Sequence, residues 1–222
     1  MKEELVIYNR PKSNISEDIR TIRTNLQFTS NSGNNQVLLV TSSVPGEGKS
    51  FISSNLSASF AINGESTILI DSDLRLGRIH KIFGLSNKKG LSNLLVEQDV
   101  VDCKDFIKKT EISNLYIMTR GTVPPNPSEL LNSNNAKKIV EFLRENFDHV
   151  IFDGVPINGL PDSLIVAGLV DRVIIVSSAN YTKIDELSDT KKALEKIDAN
   201  IAGVVVNRAA GTKRGKYSNY YE

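Results

Sequence analysis

The run Ser43-Val44-Pro45-Gly46-Glu47-Gly48-Lys49-Ser50 sets a primary amine, a hydroxyl and two glycines in a spacing that suits a phosphate cradle. Successive backbone N–H groups in such a loop, backed by a helix N-terminus, form a concave array of donors for anionic oxygens. In that setting Lys49 can reach the outer phosphates of a nucleotide, and the Ser50 hydroxyl can ligate magnesium. Gly46 and Gly48 let the backbone approach the phosphates closely. Pro45, Gly46, Glu47, Gly48, Lys49, Ser50 and Phe51 are therefore expected to hold ATP. Only the first glycine of the usual pattern is replaced, by Ser43. A turn that binds nothing is the plainer reading, but the order of strand, loop, Lys-Ser and helix argues against it.

Acidic residues supply the second half of the chemistry. Thr67 to Ile70 is followed by Asp71-Ser72-Asp73-Leu74-Arg75, and Val150 to Phe152 by Asp153. Carboxylates at the C-terminal ends of parallel strands lie along the edge where α/β sheets bind ligands. Beside a triphosphate they would repel it unless a divalent cation lay between, so magnesium is expected. Asp71 and Asp73 point to one side if the strand continues through both. Arg75 suits two roles equally, neutralising a transferred phosphate or pairing with an aspartate.

These residues need a scaffold of parallel strands. Val37 to Val40 is a short apolar run of the kind buried on both faces of a sheet. Thr67 to Ile70, Leu115 to Met118, Val150 to Phe152, Val173 to Val176 and Ile201 to Val206 repeat the signal. Between them, Lys49 to Ile62, Asn134 to Asn146, Asp162 to Leu169 and Lys183 to Ile197 read as helices, the last with Ile184, Leu187, Leu194 and Ile197 along one side. The alternation predicts a single α/β domain over 1–210, a mostly parallel sheet flanked by helices. A first helix is expected from Ile15 to Phe28, with Ile15, Ile19, Ile22 and Leu26 at helical spacing and Asn14 and Glu17 as a capping box. The stretch 29–35 breaks it. Residues 211–222 lack apolar periodicity and read as a flexible tail. It holds three of the six tyrosines, Tyr217, Tyr220 and Tyr221.

Lys plus Arg number 27 against 26 Asp plus Glu, so no bulk field draws the chain to nucleic acid or lipid. Cys103 is the single cysteine, which favours a reducing compartment. With neither a signal-peptide core nor a run of membrane-spanning length, a cytoplasmic location is expected.

Taken together, these motifs resemble the bacterial tyrosine kinases that control capsule and exopolysaccharide synthesis, P-loop proteins related in fold to the MinD and ParA ATPases. The resemblance covers nearly the whole chain: Ser43 to Ser50, Ile68 to Arg75, Val150 to Asp153, the run Gly121 to Leu131, Gly203 to Arg208 and the tyrosine-rich tail. It implies that Asp71 positions or deprotonates the incoming tyrosine, while Asp73 and Asp153, with Ser50, hold Mg2+. Lys49 would stabilise the transferred charge, and Asn207 and Arg208 would lie near the adenine, though they equally suit a strand-ending polar pair. Glu17, Arg20 and Arg23 match a motif that assembles such kinases into rings; by spacing alone, Glu17 and Arg20 could be a simple surface pair. Homo-oligomers, phosphorylation of Tyr217, Tyr220 and Tyr221 between subunits, and a transmembrane activator whose cytoplasmic tail docks on the kinase at the inner face of the membrane are all implied.

Two departures stand out. Gly154-Val155-Pro156 follows Asp153 where the family carries Asp-Thr-Pro-Pro, so a hydroxyl is missing beside the expected metal. The usual proline after Arg75 is also absent. A MinD- or ParA-type ATPase switch is the nearest alternative, but the signature lysine near the start of the loop is replaced by Ser43, Val44 and Pro45. A nucleotide-binding regulator without transfer activity is a third reading, motivated by Gly154.

Overall fold

The computed structural model of the chain describes residues 3–28, 36–97 and 103–209. In chain order the elements are α1 (Val6–Asn9), α2 (Asn14–Phe28), β1 (Gln36–Ser42), α3 (Lys49–Ile62), β2 (Thr67–Asp71), α4 (Ile79–Phe83), α5 (Leu91–Leu94), β3 (Lys108–Lys109), β4 (Leu115–Met118), α6 (Pro127–Leu131), α7 (Asn134–Asn146), β5 (His149–Pro156), α8 (Asp162–Ala167), β6 (Arg172–Ser178), α9 (Ile184–Glu195) and β7 (Ile201–Asn207). The sheet runs β3-β4-β2-β5-β1-β6-β7. Every pairing is parallel except the short edge β3–β4. β1 lies between β5 and β6, so the loop that leaves its C-terminal end opens where ligands of α/β sheets bind.

Strand alternation sorts the core into two layers. Val37 and Leu39 face α7, α8 and α9, packing with Ile139, Leu143, Val166 and Leu194. Leu38 and Val40 face α1 to α4, packing with Ile7, Ile19, Leu56 and Ile82. Burying each such side chain contributes about 1.5–3 kcal/mol. With both faces of β1 covered, the strand is a rigid base for the loop that follows it. Among the described residues, no helix is long and apolar enough to cross a membrane.

Local details differ from the sequence reading. The α2 cap is Ser13, whose hydroxyl accepts from the Ser16 N–H at 3.2 Å, and Asn14 already lies inside the helix. The N-terminal lead holds the short helix α1, and Leu5, Val6 and Ile7 are buried. Asn55 of α3 clasps it, accepting from the Ile7 N–H at 3.0 Å and donating to the Glu4 carbonyl at 2.9 Å. On α9 the buried side runs through Thr190 and Leu194, while Ile184 is 86% exposed and Ile197 lies beyond the helix end. Two predicted features, the break at 29–35 and the tail at 211–222, lie outside the described residues.

Candidate functional site

Lys49 and Ser50 reach the ligand edge because the chain turns twice after β1. Gly46 and Gly48 have φ values of +83° and +98°, left-handed conformations that favour glycine. Gly48 is doubly required, since a Cβ there would lie 2.1 Å from Asn207 Nδ2. That amide donates to the Glu47 carbonyl at 2.9 Å, so the end of β7 braces the phosphate loop. α3 starts at Lys49 without a side-chain cap at Gly48, leaving its first N–H groups for an anion. The loop opens into a cleft of about 820 Å³ whose wall includes Lys49, Ser50, Phe51, Asp73, Asn207 and Arg208. This volume suits a nucleotide-sized ligand.

Asp153 lies one layer below. It is almost wholly buried on β5 and accepts from the Ser50 hydroxyl at 2.7 Å and the Ser53 hydroxyl at 3.0 Å. Burial pushes its carboxyl up to about 6, against the opposing effects of Ser50, Lys49 and Ser53. Ser53 was not singled out from sequence; its spacing of three from Ser50 on one helix is the signal that puts both hydroxyls on one face. Burial lowers the Lys49 ammonium, while nearby Asp153, Asp73 and Glu47 hold it up.

The strand does not continue through Asp71 and Asp73, so the two do not share a side. β2 ends at Asp71, and Asp73 lies in a turn, where its carboxylate accepts from the Arg75 N–H at 3.1 Å and the Leu76 N–H at 2.8 Å. Asp73 faces the cleft; Asp71 is sealed from it. One Asp71 oxygen accepts from the Ile79 N–H at 3.1 Å, the other has no partner, and Gly77 packs directly over the carboxyl. Burial, then the charge of Asp153, raises the Asp71 carboxyl well above the usual range.

Arg75 takes the pairing role. Its Nε donates to buried Asp162 at 2.9 Å, and Ser128 of α6 donates to the same carboxylate. Arg120 donates to the Arg75 carbonyl at 2.6 Å. Asp162, Ser128 and Arg120 were not anticipated, because they lie 45 to 87 residues from Arg75 in sequence. Gly154 also has a structural cause: a Cβ would lie 2.5 Å from Ser163 Oγ and 2.8 Å from Leu39 Cδ1. The Ser163 hydroxyl fills that space, bonded to the Val155 backbone at 2.8 Å and 2.7 Å.

The donors present fit magnesium. Ser50 and Asp73 offer hard oxygens at the cleft, Asp153 lies behind Ser50 and is bonded to it, and among the described residues no cluster of three or more acidic, His or Cys side chains forms a closed cage. An ion that keeps several waters and binds one or two carboxylates together with phosphates suits such a site.

On α2, Glu17 and Arg20 form the simple pair that their spacing allows, at 2.5 Å. Arg23 donates to the Ser59 carbonyl at 2.8 Å, within the chain. The three tail tyrosines lie outside the described residues.

With this geometry in place, the chain matches the AAA domain family (AAA_31) over residues 35–205. It is 36% identical to the putative tyrosine-protein kinase CapB of Staphylococcus aureus, over 98% of this chain and 94% of the relative. The solved chimerical protein CapA2B2 superposes with a TM-score of 0.89 at 36% identity, covering 95% of this chain and 92% of that one. The kinase domain of the Escherichia coli tyrosine kinase ETK gives 0.86 at 32%, covering 93% and 82%. MinD of Pyrococcus horikoshii, solved with Mg-ADP, shares the fold at 22% identity and a TM-score of 0.66, covering 81% and 72%.

Proposed function

The chain belongs to the bacterial tyrosine-protein kinases of the capsule and exopolysaccharide type, and from that membership we propose how its cleft transfers phosphate from ATP to tyrosine. The observation that carries the reading is the joining of the phosphate loop to Asp153 through Ser50, beside a lysine at the N-terminus of α3.

ATP lies with its phosphates along Pro45 to Phe51 and its base toward Asn207 and Arg208. Lys49 holds the outer phosphates and offsets charge as it moves onto the leaving oxygen. Ser50, Asp73 and Asp153 would hold magnesium directly or through water, and the ion would supply neutralisation of the phosphate charge. The tyrosine oxygen bonds to the γ-phosphorus, the bond from that phosphorus to the bridging oxygen breaks, and ADP departs. A phenol of pKa about 10 is protonated at neutral pH, so its proton needs an acceptor. Asp71 is that acceptor once ionised, a state that its burial beneath the turn opposes. Because Asp71 is sealed under Gly77, the turn carrying residues 72–78 has to shift before a phenol can reach it.

The acceptors include Tyr217, Tyr220 and Tyr221 of a neighbouring copy, within a ring joined through Glu17, Arg20 and Arg23. A transmembrane activator's cytoplasmic tail brings the kinase to the inner face of the membrane. The near-even charge balance favours protein substrates over nucleic acid. To test the transfer, a Lys49→Met chain is mixed with an active chain lacking residues 212–222, and phosphosites are mapped by mass spectrometry. Phosphate on the tail of the inactive chain is expected. A clean tail despite turnover on another tyrosine substrate refutes transfer between subunits, and unchanged labelling with Asp71→Asn refutes the role of Asp71.

A further inference from the structure

Glu47 puts a carboxylate inside the loop that must receive a polyphosphate, and the residue is completely buried. An acidic group there adds repulsion toward the ligand and loses its own hydration. Something must offset both. The side chain takes no part in the cleft wall and points to the back of the loop. Its Oε2 accepts from the Val44 N–H at 2.8 Å, closing a turn within the loop. Its Oε1 accepts from the Thr182 hydroxyl and, at 3.4 Å, from the Ser178 N–H. Thr182 Oγ1 in turn accepts from the Ser178 N–H at 2.9 Å.

All the partners of the side chain are donors, so it acts purely as an acceptor, the role a carboxylate fills. Two of them belong to the end of β6 and the turn after it, and the Glu47 carbonyl is held by Asn207 at the end of β7. The same turn presents Tyr181, whose hydroxyl donates to the Pro45 carbonyl at 3.3 Å. The loop is thus strapped from behind to the two strands on one side of β1. Val44's N–H is spent on Glu47, which fixes the curvature with which the remaining N–H groups face the cleft.

We propose that the side chains of Glu47 and Thr182 form a positioning pair that sets the affinity for ATP by holding the phosphate loop in its binding shape, with neither side chain touching the nucleotide. A loop ordered beforehand loses less conformational freedom when the ligand arrives. This rests on the ATP-binding reading of the cleft. Glu47→Gln keeps the size but gives one end of the side chain to N–H groups, which cannot accept, so one strap is lost; Thr182→Val removes the hydroxyl at constant shape.

The test is calorimetry of Mg-ADP binding and steady-state kinetics with ATP, well below the melting temperature. Glu47→Gln and Thr182→Val are each expected to weaken ADP binding and raise KM for ATP about tenfold, the cost of losing one hydrogen bond to a charged group. At saturating ATP, kcat stays within about twofold, because the lost interaction is uniform binding. The double variant is expected to be no worse than the worse single variant, since both cut one strap. Thr182→Ser restores affinity relative to Thr182→Val. Unchanged affinity in a folded Glu47→Gln protein overturns the proposal, as do strictly additive effects of the two substitutions. Lys49→Met separates the two levels: if it too leaves affinity unchanged, the ATP-binding reading falls; if it abolishes binding while Glu47→Gln does not, only the positioning pair falls.

Discussion

Replacing Gly77 by alanine probes the packing of the acidic turn. Its new methyl carbon would lie 2.2 Å from Asp71 Oδ1, 2.6 Å from Asp71 Cγ and 2.5 Å from the Asp73 carbonyl oxygen. Ordinary contact begins near 3.4 Å, so about 1 Å of movement is needed. The Asp71 carboxyl cannot supply it by rotating freely, since it is buried and held by the Ile79 N–H. The turn must move instead, taking Asp73 with it. Overpacking of this kind costs about 2 kcal/mol, which lowers the melting temperature by about 4–8 °C for a domain of this size. A 1 Å misplacement near reacting groups reduces rate by about 10²-fold. Affinity for metal-free ADP is expected to hold, because the phosphate loop is braced independently by Glu47 and Asn207. Scanning calorimetry, binding calorimetry and initial rates of phosphotyrosine formation read the three quantities. An unchanged melting temperature with unchanged rate would refute the packing argument. A faster enzyme would refute the predicted rate loss, by showing that displacing the closed turn helps turnover more than moving Asp73 costs.

Introducing the family's threonine at Gly154 should destabilise the protein by about 1–3 kcal/mol through overpacking against Ser163 and Leu39. Ser163→Gly should recover part of that loss, which urea titration of the single and double variants would measure as coupling. Alanine at Glu17, Arg20 and Arg23 together should shift an assembled kinase toward monomer in light scattering while far-UV circular dichroism is kept; an unchanged mass excludes this helix from the ring contact. His149 is buried beneath Phe60, with ring centroids 3.8 Å apart, and contacts Glu65 through Nε2. Burial lowers its pKa despite Glu65, and the unpartnered Nδ1 suits a neutral ring with its proton on Nε2. The unfolded chain therefore takes up the proton first as pH falls below about 6.5. The stabilising contribution is full above that value and is lost as pH falls toward the folded pKa. In His149→Gln the urea midpoint should fall less between pH 7 and 5 than in the parent; equal slopes would refute this.

Local patterns fixed where the candidate chemical groups lie. Val37 to Val40 had to be a covered strand because four consecutive apolar residues bury both faces, and Gly46 to Ser50 had to follow it as a loop opening a helix. Backbone conformation and side-chain type suffice for that, so Lys49, Ser50, Asp73 and Asp153 could be read from sequence as candidate groups. α1 and the edge strand β3 were not, since four and two residues give no period to read. Neither were the partners that sequence separates. Ser163 explains Gly154 from 9 residues downstream, Asp162 claims Arg75 from 87 residues away, and Thr182 reaches Glu47 across 135. Whether Asp71 opens to the cleft also depended on the fold. The residue type and its place at the end of β2 put a carboxylate there; the turn that lays Gly77 over it, and the proximity of Asp153 from a neighbouring strand, come only from packing the sheet. Motifs carry the groups that do chemistry because each acts through its own type and local backbone. Burial, bracing and pairing belong to the tertiary structure because they are properties of two segments at once, and nothing in either segment alone specifies the other.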